Sequence, residues 1–145
     1  MEGLADKVIV ITGASEGIGR ALALALAPLG GQLVLSARNE SRLRTLAMEV
    51  ESVGGAPLVV CSDVGRQQDC EALIATVIER FGRLDILINN AGMTMWSRFD
   101  ELKQLDILEQ LMRVNYLGPA WLTHAALPHL KVPKGKWWWW LPWPV

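Results

Sequence analysis

The chain has 145 residues, of which 51% are hydrophobic and 20% charged, and its formal net charge is −1 at pH 7. That length fills one domain and leaves no room for a second, and the composition is that of a packed globular protein, not a disordered one. Near-neutral charge removes the electrostatic case for nucleic acid or an anionic membrane surface.

Lys7–Thr12 is a short β-branched apolar run bounded by Gly13, which predicts a strand buried on both faces, as in a parallel sheet. Gly17–Leu29 is rich in Ala and Leu and predicts a helix, ended by Pro28 and Gly30-Gly31. Gln32–Ala37 reads as the second strand. Asn39 or Ser41 can cap a helix running to about Ser52, with Leu43, Leu46, Ala47 and Val50 on one face, and Gly54-Gly55 stops it. Pro57–Ser62 is a third strand. A helix from about Gln67 to Phe81 buries Leu73, Ile74, Val77 and Ile78, and Leu84–Asn89 is a fourth strand. Glu101 to Leu130 is mostly helical, with Gly118-Pro119 expected to bend or interrupt it. Repeated strand–helix alternation predicts an α/β fold, a Rossmann-like doubly wound parallel sheet with helices on both faces.

Met1–Asp6 lacks the basic start and apolar core of a signal peptide, and the apolar run Ala21–Leu29 has about half the length a bilayer requires. Cys61 and Cys70 show neither a CxxC pair nor metal-ligand spacing, so reduced thiols and no metal site are expected. A cytoplasmic protein follows from these features.

Thr12-Gly13-Ala14-Ser15-Glu16-Gly17-Ile18-Gly19 joins the first strand to the first helix. Glycines let the backbone approach a pyrophosphate, while the helix N-terminus presents free N–H groups and a positive dipole end. Ser15 can add a hydroxyl hydrogen bond. The position of the loop, after a buried strand and opening a helix, favours cofactor binding over a purely structural turn.

The Gly-x-x-x-Gly-x-Gly spacing resembles the TGxxxGIG motif of the short-chain dehydrogenase/reductase family, with Gly13, Gly17, Ile18 and Gly19 at its specified positions. Further segments match that family in order: Asp63-Val64 after the third strand, Asn89-Asn90-Ala91-Gly92 after the fourth, and Val114-Asn115-Tyr116-Leu117-Gly118 in the long helical region. The resemblance covers residues 7 to about 136. It implies that Asp63 contacts an adenine ring, that Asn90, Ala91 and Gly92 border the cofactor, and that Asn115 belongs to a catalytic tetrad. It also implies an oxidoreductase that moves hydride between a nicotinamide and a small ketone or alcohol, with pairing through long helices in a homo-oligomer.

A free ribose 2′-hydroxyl is usually held by an acidic residue at the end of the second strand. Here that stretch reads Ser36-Ala37-Arg38-Asn39, and Arg38 can hold a 2′-phosphate instead. NADP is therefore expected ahead of NAD, with Glu16, where some NADP-dependent relatives carry a basic residue, pointing the other way.

In the resembled family a Tyr exchanges the proton, a Lys four residues later lowers its pKa, and a Ser orients the carbonyl. Only the Asn has a counterpart, at Asn115. The sole tyrosine, Tyr116, has Ala120 four positions on, and no Tyr-x-x-x-Lys occurs. Tyr116, His124 and His129 read as packing or surface residues; Met93, Met95 and Trp96 can border a substrate pocket or fill a mobile loop.

Residues 1–136 read as an incomplete NAD(P)-binding domain, and 137–145 as an aberrant tail. Trp137–Trp140 has no evident packing rationale, because each indole needs apolar cover and a partner for its N–H. Trp has a single standard codon, TGG, so the run implies TGGTGGTGGTGG. Shifted back by one base, that stretch reads GTG GTG GTG, and the neighbouring frame permits Val-Val-Val-Val-Ala-Ser-Leu-Ala-Gly. The expectation is a frameshift near Lys136, leaving about four strands, in the order 3-2-1-4 that the resemblance implies, with the fourth unpaired. A chain so truncated is expected to be inactive and poorly soluble. Other readings are a non-catalytic dinucleotide-binding module, a product without function, and, for the tail alone, an interfacial membrane anchor helped by Lys131, Lys134 and Lys136.

Overall fold

The computed structural model describes residues 4–131 and the strand 136–139; expectations for the remainder of the tail fall outside the described residues. Among the described residues, five parallel strands form one sheet in the order β3-β2-β1-β4-β5. They are β1 (Val8–Thr12), β2 (Gln32–Ala37), β3 (Ala56–Cys61), β4 (Ile86–Asn89) and β5 (Lys136–Trp139).

Alternation along each strand splits the apolar residues between two helical layers. On one face, Ile9, Ile11, Leu33 and Leu35 meet Ala23 of α1 (Gly17–Leu26) and Leu43, Leu46 and Val50 of α2 (Glu40–Ser52). On the other, Val8, Val10, Val34 and Leu87 meet Cys70, Leu73, Ile74 and Val77 of α3 (Gln67–Phe81) and Leu122, Ala126 and Leu130 of a C-terminal helix. Burial of each large apolar side chain contributes about 1.5–3 kcal/mol. All five residues of β1 are buried, as a central strand covered on both faces requires.

Asn39, not Ser41, starts α2: its Oδ1 accepts the Arg42 N–H at 3.0 Å. The first helix ends at Leu26 and continues as a 3-10 turn over Ala27–Leu29, where Pro28 cannot supply an α-helical N–H. The expected Glu101–Leu130 helix is divided. A 3-10 turn at Phe99–Glu101 precedes α4 (Asp106–Met112), a π-helical turn spans Arg113–Leu117, and α5 runs Gly118–Lys131. The interruption expected at Gly118-Pro119 thus falls one turn earlier, and Pro119 sits at the start of α5.

The open edge expected on β4 is paired. β5 lies parallel to it with Ile86↔Lys136, Leu87↔Trp137, Ile88↔Trp138 and Asn89↔Trp139 in register. Strand pairing uses backbone groups, and aromatic residues favour extended structure, so the tryptophan run fits this position.

At the N-terminal end of the sheet, the buried Asp85 carboxylate accepts the Val8 N–H at 3.0 Å, both ends of the Arg83 guanidinium, and Lys7 Nζ at 3.4 Å. This cluster ties the start of β4 to the start of β1.

Candidate cofactor groove

At the C-terminal ends of the strands, on either side of the point where the chain reverses direction across the sheet between β1 and β4, lies a groove of about 900 Å³. Doubly wound sheets place ligands in such crevices. Its lining comes from the loops after β1, β2, β3 and β4, with Val114 from the π-helical turn.

The phosphate loop is held from beneath by Thr12. Its buried hydroxyl donates to the Ile88 carbonyl at 3.3 Å and accepts the N–H groups of Asn90 at 3.1 Å and Ala91 at 3.0 Å. The Asn90 amide in turn donates to the Thr12 and Gly13 carbonyls at 3.0 and 3.2 Å. Gly13 has φ +64°, and a Cβ there would lie 2.8 Å from the Ala91 Cα. A Cβ on the buried Gly19 would come within 2.5 Å of the Asn90 amide nitrogen. Both positions therefore admit only glycine, and α1 starts pressed against the loop after β4.

At the far end, Ser36 and Ser62 hydroxyls share a buried hydrogen bond of 2.9 Å that joins the ends of β2 and β3. Asp63 accepts the Gly65 N–H at 2.9 Å, and its own N–H donates to Asp69 at 3.0 Å. Arg38, Asn39 and Arg42 line the groove from the β2 end and the first turn of α2. Arg42 is ion-paired with Glu16 of the phosphate loop, and Arg44 with Glu40. Among the described residues Arg38 has no ion-pair partner and is exposed.

At the opposite end, Asn115 in the π-helical turn accepts the Met93 N–H at 2.9 Å and donates to the Met93 carbonyl at 2.8 Å. π-Turns often mark functional positions, because they rotate one side chain out of the helical register. Cys70, buried beneath this region, donates to the Val64 carbonyl at 3.4 Å, and burial pushes its thiol pKa up to about 12.

Of the sequence candidates, Gly13, Ser15, Ile18, Arg38, Asp63, Val64, Asn90, Ala91 and Gly92 line one groove. Gly17 and Gly19 shape the loop without being part of that lining, and Asn115 reaches the groove through Met93. Met93 lines it, whereas Trp96 is 84% exposed. His124 and His129 on α5 do not line the groove, nor does the half-exposed Tyr116.

Sequence reasoning assigned no role to Thr12, Ser36, Ser62 or Arg42. A hydroxyl residue at the end of an otherwise apolar buried strand is the signal for Thr12 and Ser36. No local signal exists for Arg42, whose partner Glu16 is distant in sequence.

A family model for short chain dehydrogenase matches residues 7–137. The 11-beta-hydroxysteroid dehydrogenase-like 4A of Arabidopsis thaliana is 41% identical over 131 residues, covering 90% of this chain and 44% of that protein. The 11-beta-hydroxysteroid dehydrogenase A of Sesamum indicum is 39% identical over 136 residues, 93% of this chain and 39% of its own length. The chain thus spans under half the length of these relatives. Among solved structures, a metagenomic short-chain oxidoreductase in complex with NADP superposes with a TM-score of 0.86 at 32% identity, covering 91% of this chain and 60% of that one. An alcohol dehydrogenase from the archaeon Thermococcus sibiricus, complexed with 5-hydroxy-NADP, gives 0.84 at 39% identity over 90% of this chain and 56% of its own. NADH-dependent reductase A1-R′, complexed with NAD, gives 0.82 at 30% identity, covering 90% and 54%. With its motifs, its sheet order and these relatives in agreement, the chain belongs to the short-chain dehydrogenase/reductase family.

Proposed function

We propose that this chain is the dinucleotide-binding part of an NAD(P)-dependent oxidoreductase acting on a small ketone or alcohol, with NADP preferred to NAD. The observation that carries the reading is the convergence of nine sequence candidates on one groove at the strand ends. The residues fit such a cofactor. Gly13 and Gly19 leave a cradle that any Cβ would fill, the start of α1 offers free N–H groups to a pyrophosphate, and Arg38 is available to a 2′-phosphate. Asp63 and Val64 border the adenine end, and Ala91, Gly92 and Met93 the nicotinamide end. When bound, the nicotinamide supplies the hydride chemistry. The part of these residues is to orient its ring: Asn90 fixes the loop after β4, and Asn115 fixes Met93.

No Tyr-x-x-x-Lys occurs in these residues, so binding without turnover is the activity proposed for this polypeptide by itself. That same observation favours a second reading, a non-catalytic module that senses the cofactor. A frameshift near Lys136, with residues 137–145 read from a neighbouring frame, accounts for the tryptophan run. A cytoplasmic location and a homo-oligomer complete the proposal. Among the described residues no helix is long and apolar enough to cross a membrane.

Titrating NADPH and NADH into the purified chain tests the reading. Saturable binding of NADPH, tighter than NADH, with no ketone reduction is expected. Absence of binding by either nucleotide in a folded chain overturns it. Sequencing the encoding DNA beyond the Lys131 codon then separates a frameshifted reductase from a dedicated module.

A further inference from the structure

We infer that Glu16 sets the cofactor preference of this groove by holding Arg42 away from the 2′-phosphate position, as a latch that a phosphate-bearing ligand opens. The inference rests on the dinucleotide reading above. Glu16 leaves the phosphate loop and Arg42 leaves the first turn of α2. Both line the same groove as Arg38, and they form an ion pair across it. The neighbouring acid, Glu40, is engaged with Arg44 through two hydrogen bonds, so it does not compete for Arg42. The start of α2 is fixed by the Asn39 cap, which holds the Arg42 backbone at the groove while leaving its side chain to choose a partner.

The pair is exposed on both sides, 58% for Arg42 and 72% for Glu16. Exposed pairs hold weakly, whereas a phosphate dianion offers a guanidinium stronger, charge-assisted hydrogen bonds. A 2′-phosphate therefore outcompetes the Glu16 carboxylate and recruits Arg42 beside Arg38. A ligand with a free 2′-hydroxyl leaves the latch closed. Each NADP binding event spends part of its electrostatic gain on breaking the pair, which narrows the margin over NAD.

The test is a set of NADPH and NADH titrations, read by nucleotide fluorescence, on the full chain and on E16Q, R42A and E16Q/R42A. Both residues are exposed, and matching far-UV circular dichroism confirms that the variants keep the fold. E16Q is expected to tighten NADPH about fivefold and leave NADH unchanged. R42A is expected to weaken NADPH by a similar factor, and the double variant to match R42A alone. If E16Q moves both nucleotides equally or neither, the latch is overturned. It is also overturned if E16Q still tightens NADPH in the R42A background, because Glu16 then acts by direct repulsion. If the unaltered chain binds neither nucleotide, the dinucleotide reading fails, a result distinct from a failed latch.

Discussion

Asn115 and the backbone of Met93 exchange two hydrogen bonds, one accepted at 2.9 Å and one donated at 2.8 Å, closing a ring between the π-helical turn and the loop after β4. The pairing ties the Asn115 amide to the Met93 backbone, and Met93 lines the groove beside Ala91 and Gly92. Replacement by Ala strands both Met93 backbone groups in a half-buried site. N115A should cost about 1–2 kcal/mol in a urea melt and weaken NADPH binding. N115D keeps the acceptor and loses the donor, and should fall between N115A and the parent.

Gly19→Ala tests the close approach of α1 to the loop after β4. Its methyl group meets the Gly13 carbonyl, which is backbone, and the Asn90 amide, which two hydrogen bonds hold in place. Overpacking of this kind costs about 1–3 kcal/mol. The thermal midpoint should drop, and NADPH affinity should fall further than stability alone explains. Gly13→Ala, at φ +64° and 2.8 Å from the Ala91 Cα, adds backbone strain to the same clash and should cost more, whereas Gly54→Ala, with open space around it, should carry the strain of a positive φ alone and leave the groove intact.

Asp85 gives the fold an acid sensitivity. Its burial pushes the carboxyl pKa up, but hydrogen bonds from Arg83 and the Val8 N–H and the charges of Arg83 and Lys7 outweigh this, and the net shift is downward. A carboxylate with a depressed folded pKa stabilises the fold fully above its unfolded pKa, and that contribution is lost as pH falls through the folded value. D85N should therefore be less stable than the parent at neutral pH, and the difference should shrink as the solution is acidified below the ordinary aspartate range. Denaturant midpoints of the two proteins across pH 7 to 2 measure it.

The two thiols should differ sharply in reactivity. Cys61 is exposed, whereas Cys70 is buried with its pKa at about 12. Thiolate is the reactive form. A chromogenic disulfide reagent at pH 8 should modify Cys61 promptly in the native chain and Cys70 only after denaturation. Prompt reaction of both would show that the layer formed by α3 and α5 opens readily.

Ending the chain before Lys136 removes β5 and returns β4 to an open edge. Unpaired edges template association. The shortened chain should aggregate at lower concentration than the parent, as followed by light scattering at fixed temperature.

Much of this architecture was legible in the amino-acid order. Gln32–Ala37 and Gln67–Phe81 have the bounds their patterns predict, because the first is a short apolar run opened by Gly30-Gly31 and the second a periodic apolar segment closed by Gly82. The phosphate loop was equally plain, since its glycines are required by backbone geometry. The division of the last helical region was not, because a π-helical turn leaves no period of its own in Met112–Gly118. Nor was the Glu16–Arg42 pair, which exists only once α1 and α2 lie on the same face of the sheet. Thr12 stands inside the phosphate-loop motif, yet its task of anchoring the loop after β4 depends on a strand 74 residues later in the chain.

The seat beside β4 is undemanding. It grips backbone, four residues of it, and takes a row of tryptophans in the register Ile86 to Asn89. Repeated TGG triplets spell a strand-forming residue in a second frame as well, where they read as valine. A slip of the ribosome or of the gene at this point thus exchanges one extended ribbon for another, and the sheet closes over the substitution.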